Sequence, residues 1–572
     1  MQPRLAILVL GVTLACARPS APPSVLLLTL DTTTPEALGC FGGPAGLTPN
    51  LDRLAREGVV FEDARAVAPL TLPAHASILT GLYPLRHALR RNGELRLAPE
   101  AETLAERART HGYATAAFVA AVVLVSEFGL DQGFDVYDAP ATPAEVDEHL
   151  AASRPASEIA AAARTWLAAR DPAQPFFLWL HFYDPHFPYR PPSEFAARAS
   201  GDPYLGEVAA MDAAIGEVLS ELARLWREDS TLVVALADHG ESRGRHGEET
   251  HGAFVFESTL KIPFLARLPG AARAGERVGA PVSQVDVAPL VGAVLGWPRD
   301  ANGDGRDPLG TSASPGVYFE SYFGTRSFGW SPLAGWTDGH EKYVHSSAPE
   351  LFDLSLDPGE SKNVLDERPA QAEALRAHIT ALAARARLKA AELEDDAGEL
   401  QREIERLGYA GSASDERERE LEPLATSSDP SPHRLTAAYA DYMQGRKLYE
   451  ERAPREQAIA LLERAVRANP GNHKAWFTLG LAWLDLQRFE RAADAFRRVT
   501  TMRGGERIPA ELNLAVCLYN LGRSPEALTI LERALADTPG PPGALELLIR
   551  LLEENGRPAD AARVSSRWRG QL

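Results

Sequence analysis

The sequence predicts an α/β domain, with a mostly parallel sheet flanked by helices, followed by an all-α solenoid of short repeats. Three short apolar runs end in acids or imidazoles: SVLLLTLD in Asp31, FFLWLHFYDPH in Asp184 and His186, and TLVVALADHG in Asp238 and His239. Such runs read as buried parallel strands. Strand-like runs alternate with helical patterns from Ser24 to about Val364, the rhythm of a parallel-sheet domain. Farther on, Ala458, Ala492, Ala527 and Ala561 recur at spacings of 34, 35 and 34 within purely helical sequence.

Taken in order, residues 1–23 read as an export signal. Arg4 precedes the apolar run LAILVLGVTLA, which closes on Cys16. The run is too short to span a bilayer as a helix but suits a signal-peptide core. TLAC resembles a bacterial lipoprotein processing box, so lipid attachment at Cys16 is one expectation and plain cleavage nearby is the other. Either outcome implies a periplasmic or membrane-anchored protein. Cys40 and Cys517 are the remaining cysteines and fall in different expected domains, which argues against a disulfide framework.

Residues 24–410 are expected to form the α/β domain, with 366–408, rich in Ala, Glu, Arg and Leu, supplying closing helices. A polar linker, 411–434, leads to repeats over 435–568. The clearest unit places Trp476, Leu479, Gly480, Trp483, Ala492 and Phe496 in the order of a tetratricopeptide repeat. Pro470 and Pro539 close units, and Gly522 and Gly556 mark turns between paired helices. Such solenoids usually take a protein or peptide partner in a concave groove. Because the sheet domain should have its own core, removal of 430–572 is expected to leave small-substrate turnover measurable.

A length of 572 residues suits two or three domains. The net charge of −19 argues against a nucleic-acid binder. It decides nothing about small substrates, since a bound divalent cation reverses the local field. In open α/β sheets the ligand site lies beyond the carboxyl ends of the strands. Acids and imidazoles delivered there from distant segments make a metal site the leading explanation.

Five segments in order resemble the sulfatase family of the alkaline phosphatase superfamily. They are LLLTLDTTTPEALGCFGGPAGLTPNLDRLAREGVVFEDARA, TLPAHASILTGLYPLRHALRRNG, HFYDPHFPY, ADHGES and ELFDLSLDPGESKNV. The resemblance covers the first ~370 residues. The family's nucleophile motif runs Cys or Ser, one residue, Pro, Ser, Arg, and here reads Thr71-Leu72-Pro73-Ala74-His75. The residue converted to formylglycine is absent, as is the Arg, and the adjacent acids expected after the first strand are reduced to Asp31-Thr32. The superfamily also contains phosphodiesterases and phosphoethanolamine transferases that use a metal-bound threonine.

Thr71 has a physical case of its own. Pro73 suits a first helical turn, which puts Thr71 at a helix N-terminus favourable to an oxyanion. A threonine hydroxyl is a weak nucleophile that metal coordination activates. Asp31, Asp238 and His239 match family metal positions and, with Thr71, make an oxygen/nitrogen set suited to Zn2+. Asp184, His186 and His251 could hold a second ion, with His246 competing for the place of His251. Two zinc ions are expected, with Mn2+, Mg2+ or Ca2+ also compatible. His75, at the family's Arg position, is expected to contact the substrate oxyanion. Asn92 and Arg86 are expected to line the substrate pocket, and the aromatic stretch 320–330 reads as packing or as a pocket wall.

The resemblance therefore implies an exported metal-dependent hydrolase of phosphate mono- or diesters, on a small, carbohydrate or lipid ester. The alternatives are sulfuric ester hydrolysis, a phosphoethanolamine-type transfer, and an inactive sulfatase-like scaffold that presents the repeats.

Overall fold

The computed structural model describes residues 22–140, 154–225, 227–393, 422–502, 507–536 and 540–567. Residues 1–21 of the expected signal segment, with Cys16, residues 411–421 of the linker, and Pro539 lie outside the described residues.

The first domain is built on an eight-stranded sheet. Its strands are β1 (Ser24–Leu30), β2 (Val59–Phe61), β4 (Ala114–Phe118), β5 (Val136–Asp138), β6 (Phe176–Phe182), β7 (Thr231–Ala237), β9 (Phe264–Arg267) and β10 (Glu276–Val278), in the order β10-β2-β9-β7-β1-β6-β4-β5. Pairing is parallel except where β9 lies against β2 and β7. A small sheet joins β3 (Ala64–Arg65), β8 (Lys261–Ile262) and β11 (Val282–Ser283). An antiparallel meander comprises β12 (Val317–Ser321), β13 (Leu333–Thr337), β14 (Glu341–His345) and β15 (Glu350–Asp353).

The central strands β1, β6 and β7 are buried along their whole length. This is why their sequences are continuous apolar runs rather than alternating ones. Register then places the site. Leu30 pairs with Phe182 on one side and with Ala237 on the other. The three strands therefore end level, and the next residues of β1 and β7 are Asp31 and Asp238. Helices Pro49–Glu57, Ala156–Ala169 and Pro203–Arg224 pack together, as do Thr71–Thr80, Leu104–Thr110 and Val287–Leu295. In the closing segment a helix spans Pro369–Ala383 and packs on β13 and β14.

The C-terminal region is helical. Its described helices form pairs: Thr436–Glu450 with Arg455–Ala468, His473–Asp485 with Phe489–Val499, Arg507–Asn520 with Ser524–Ala534, and Pro542–Glu554 with Pro558–Arg567. Ala458, Ala492, Ala527 and Ala561 are each buried in the second helix of a pair. Close approach explains Gly480, where a Cβ would fall 2.8 Å from the Phe496 ring. Gly522 and Gly556 turn the chain at φ +73° and +71°, the left-handed region that glycine enters without strain. Among the described residues, no helix is long and apolar enough to cross a membrane.

The two domains share a core, contrary to the expectation of independence. Phe254, Phe256, Phe328 and Trp330 of the first domain are buried in one apolar cluster with Tyr439, Tyr442 and the repeat interior. Phe254 stacks on Trp330 at 5.6 Å and meets Tyr439 edge-on at 5.4 Å. Asn469 Nδ2 donates to the Phe328 carbonyl at 2.9 Å, and His433 stacks on Phe256 at 4.1 Å. The aromatic stretch 320–330 therefore packs: Glu320 and Tyr322 hold Arg90 within the first domain, and Phe328 and Trp330 meet Tyr439 of the first repeat.

Candidate active site

The level ends of β1 and β7 bring three distant donors together. One ligand atom each from Asp31, Asp238 and His239 lies within 4.8 Å of the others, all buried. Backbone geometry holds them there. Thr32, which follows Asp31, adopts φ +49°, and its N–H donates to Asp238 Oδ1 at 3.2 Å. The His239 N–H donates to the same oxygen at 2.8 Å. Asp238 Oδ1 is thereby satisfied while Oδ2 has no hydrogen-bond partner. Thr32 thus supplies a backbone donor, and its Oγ1 donates to the Pro185 carbonyl at 2.8 Å.

Thr71 opens the buried helix Thr71–Thr80, and its Oγ1 lies 3.4 Å from His239 Nε2. That Nε2 is also 3.4 Å from Asp238 Oδ2 and 3.8 Å from Asp31 Oδ1. The tautomer follows from the other ring nitrogen: His239 Nδ1 contacts the Gly240 carbonyl at 3.1 Å. A carbonyl can only accept, so Nδ1 carries the proton and Nε2 presents a lone pair.

The same logic assigns the tautomers of a second pair of imidazoles. His186 Nδ1 donates to the Phe187 carbonyl at 2.7 Å, and His251 Nδ1 donates to that of Pro69 at 3.1 Å. Their Nε2 atoms face one another at 3.2 Å. Two lone pairs at that distance repel unless a cation lies between them. The His239 and His251 rings are 4.2 Å apart, so the two groups are contiguous.

Electrostatics agree. Burial pushes the carboxyl groups of Asp31 and Asp238 well above the usual range, and for Asp238 the nearby Asp31 adds to it. Burial lowers His239 to about 3 and holds His186 and His251 well below the ordinary imidazole value. Neutral imidazoles and unpaired buried carboxylates form a donor set that a divalent cation satisfies. Neither oxygen of Asp31 has a hydrogen-bond partner, which fits that assignment.

Other expected residues take different places. Asp184 Oδ2 accepts the Ala156 N–H at 2.8 Å, at the start of the helix Ala156–Ala169, so that oxygen serves a helix N-terminus rather than the imidazole pair. His75 is wholly buried. Its Nδ1 donates to the Thr71 carbonyl at 2.7 Å and lies 3.8 Å from Asp238 Oδ2, with the ring beside Trp179 and His181. Its Nδ1 side thus backs the helix that Thr71 opens and Asp238. Arg86 is a structural clamp, donating to Asp304 at 2.7 Å and to the carbonyls of Asn302 and Ala386. Its guanidinium is committed there rather than to a substrate pocket. His246 stacks on Phe256 at 3.7 Å, leaving His251 as the imidazole that meets His186.

Asn92 sits beside the first turn of the helix that Thr71 opens. Its Oδ1 accepts the Leu72 N–H at 2.9 Å, and its buried Nδ2 has no partner. Sequence reasoning missed His181, wholly buried near the end of β6 with Nε2 3.4 Å from Asp31 Oδ2. The available signal was an imidazole inside an otherwise apolar strand, which is costly unless it serves a partner. It also missed Glu241, a buried acid two residues beyond His239 whose carboxyl is raised by burial, by Glu248 and by Asp31.

The comparisons accord with this architecture. The Sulfatase family model matches residues 23–297, and the tetratricopeptide repeat model matches 442–506 and 512–570. Arylsulfatase A of Homo sapiens is 28% identical over 450 residues, covering 64% of this chain and 87% of that protein. Steryl-sulfatase of Rattus norvegicus is 27% identical over 409 residues, covering 51% and 71% respectively. Among solved structures, the phosphonate monoester hydrolase of Agrobacterium radiobacter superposes with a TM-score of 0.54 at 23% identity, covering 63% of this chain and 95% of that one. That likeness speaks for the fold. Residues 23–297 form a sulfatase-family domain, the domain of a sulfatase-like hydrolase, and tetratricopeptide repeats follow it.

Proposed function

We propose that the chain is a metal-dependent hydrolase of phosphate mono- or diesters with Thr71 as nucleophile. The observation that carries this reading is the Thr71 hydroxyl at a helix N-terminus, 3.4 Å from a lone-pair Nε2 of His239. Formylglycine cannot form from threonine, so sulfatase chemistry of the usual kind has no nucleophile here. Asp31, Asp238 and His239 would hold one Zn2+ beside Thr71, and His186 and His251 would contribute to a second. The bound metal would lower the pKa of the Thr71 hydroxyl and neutralise charge on the ester oxygens.

In this reading Thr71 Oγ1 bonds to phosphorus as the bond to the leaving alcohol breaks, and the hydroxyl proton passes to solvent. Water then cleaves the phospho-threonine ester, releasing phosphate from a monoester substrate or a phosphate monoester from a diester, and restoring Thr71. Asn92 Nδ2 donates to the phosphoryl oxygen as charge develops there, with its Oδ1 held by Leu72 N–H. Asn92→Ala is accordingly expected to lower kcat by about 10²–10³-fold with a smaller change in KM. Steady-state kinetics check this, and an unchanged kcat would remove Asn92 from the reaction.

Sulfate ester cleavage is the second reading, favoured by the names of the relatives, arylsulfatase A and steryl-sulfatase. Metal analysis and parallel assays on 4-nitrophenyl phosphate, bis(4-nitrophenyl) phosphate and 4-nitrophenyl sulfate separate the two. Bound zinc with phosphoester turnover that a chelator removes supports the proposal, and turnover of the sulfate alone overturns it. A metal-free, inactive protein would instead indicate a scaffold. Export fits the N-terminal apolar run ending at Cys16, and the repeats suit a protein or peptide partner.

A further inference from the structure

His181 stands apart from the other imidazoles of the site. His239, His186 and His251 each donate Nδ1–H to a backbone carbonyl and present Nε2 as a lone pair. At His181 the arrangement is reversed, because its Nδ1 receives the Ala120 N–H at 3.2 Å. A backbone N–H can only donate, so Nδ1 holds the lone pair and the ring's proton is on Nε2. His181 Nε2 lies 3.4 Å from Asp31 Oδ2, and in the structure neither of these buried atoms has a hydrogen-bond partner, so each is the nearest complement the other has.

This decides what His181 can do. One ligand atom each from His75, His181 and Asp238 lies within 4.8 Å of the others, which resembles a further metal site. A protonated Nε2 cannot ligate a cation, so that grouping is not one. What the N–H can do is engage one oxygen of Asp31. The other, Oδ1, is the oxygen turned toward His239 Nε2 at 3.8 Å. β6 pairs with β1 in a register that sets His181 opposite Thr29, two residues before Asp31, so the imidazole is carried by the neighbouring strand. Groups that hydrogen-bond a metal-ligating side chain orient it and tune its affinity.

We propose that His181 is a positioning residue that holds Asp31 through Oδ2, leaving Oδ1 to the metal. The proposal rests on the reading of Asp31, Asp238 and His239 as a metal site.

The test is titration of the metal-free full-length chain with Zn2+ against a competing chelator, independent of turnover. His181→Phe should weaken zinc binding about 10–100-fold at unchanged stoichiometry. His181→Gln, which retains an amide N–H donor, should stay within a few-fold of the parent. In an Asp31→Asn background, His181→Phe should add little further loss, because it acts through Asp31. Should the Phe variant fail to fold, His181→Asn, whose amide is too short to reach Asp31, carries the same expectation.

Unaltered zinc affinity in His181→Phe, or in the Asn variant, would overturn the proposal while leaving the metal site intact. Loss of one zinc equivalent that Gln does not restore would also overturn it, making His181 a ligand. A parent chain that binds no zinc would defeat the metal reading itself, and the parent titration reports that separately.

Discussion

Thr71→Ala is expected to reduce phosphoester turnover by about 10⁴–10⁶-fold, the scale seen when a covalent nucleophile is removed. Its effect on folding should be small, under about 2 kcal/mol, since the substitution deletes one methyl and one hydroxyl at the start of a helix. Zinc should still bind, because Asp31, Asp238 and His239 remain. Thr71→Ser keeps a hydroxyl and should retain a measurable part of the activity. Acid-quenched protein incubated with substrate should carry phosphate on Thr71 in the parent and none in the Ala variant. Near-normal kcat in Thr71→Ala would disprove the nucleophile.

The second large effect concerns the repeats. Truncation after residue 430 should yield insoluble or poorly folded protein rather than an active core. The cut uncovers Phe254, Phe256, Phe328 and Trp330, which are buried against the first repeat. Aromatic side chains bury about 150–250 Å² each. Exposing even half of that from four rings approaches the ~300–600 Å² that a typical monomer shows as its largest apolar patch.

The damage should reach the site. Gly247 lies 3.0 Å, measured from a Cβ placed on it, from the Thr436 carbonyl, and Glu248 Oε1 accepts the Ala253 N–H at 2.8 Å. The segment between them and Phe254 carries His251. Soluble expression and zinc content of the truncated chain measure the effect. A soluble, zinc-loaded and active truncation would show that the shared core is dispensable.

Much of the architecture was legible because burial leaves a plain mark on composition. The runs ending at Asp31, Asp238 and His239 are apolar on both faces, as a central parallel strand must be, and polar residues stop them where the sheet ends. The repeats were legible for a related reason. Gly480 and Ala492 are small because the helices of a pair approach closely, and that constraint recurs with the period of the unit.

Roles that depend on which way a side chain turns were not legible. Asp184 and His186 are two residues apart, yet one turns an oxygen to the Ala156 N–H and the other turns its ring to His251. Arg86 and Asn92 both follow the helix Thr71–Thr80. Asp304, more than two hundred residues away, claims the first, and Leu72 N–H takes the second.

The sequence by itself determined the fold class, the repeat array, and the acids and imidazoles at the strand ends. These follow from local periodicity and from the rule that buried strands are apolar until they reach the site. Only the tertiary structure decided which nitrogen of each imidazole carries the proton, that His181 faces Asp31, and that the two domains share one core. A tautomer is set by the partner across the ring, and a shared core by shape matching between segments far apart in the chain. Neither leaves a periodic trace in the sequence.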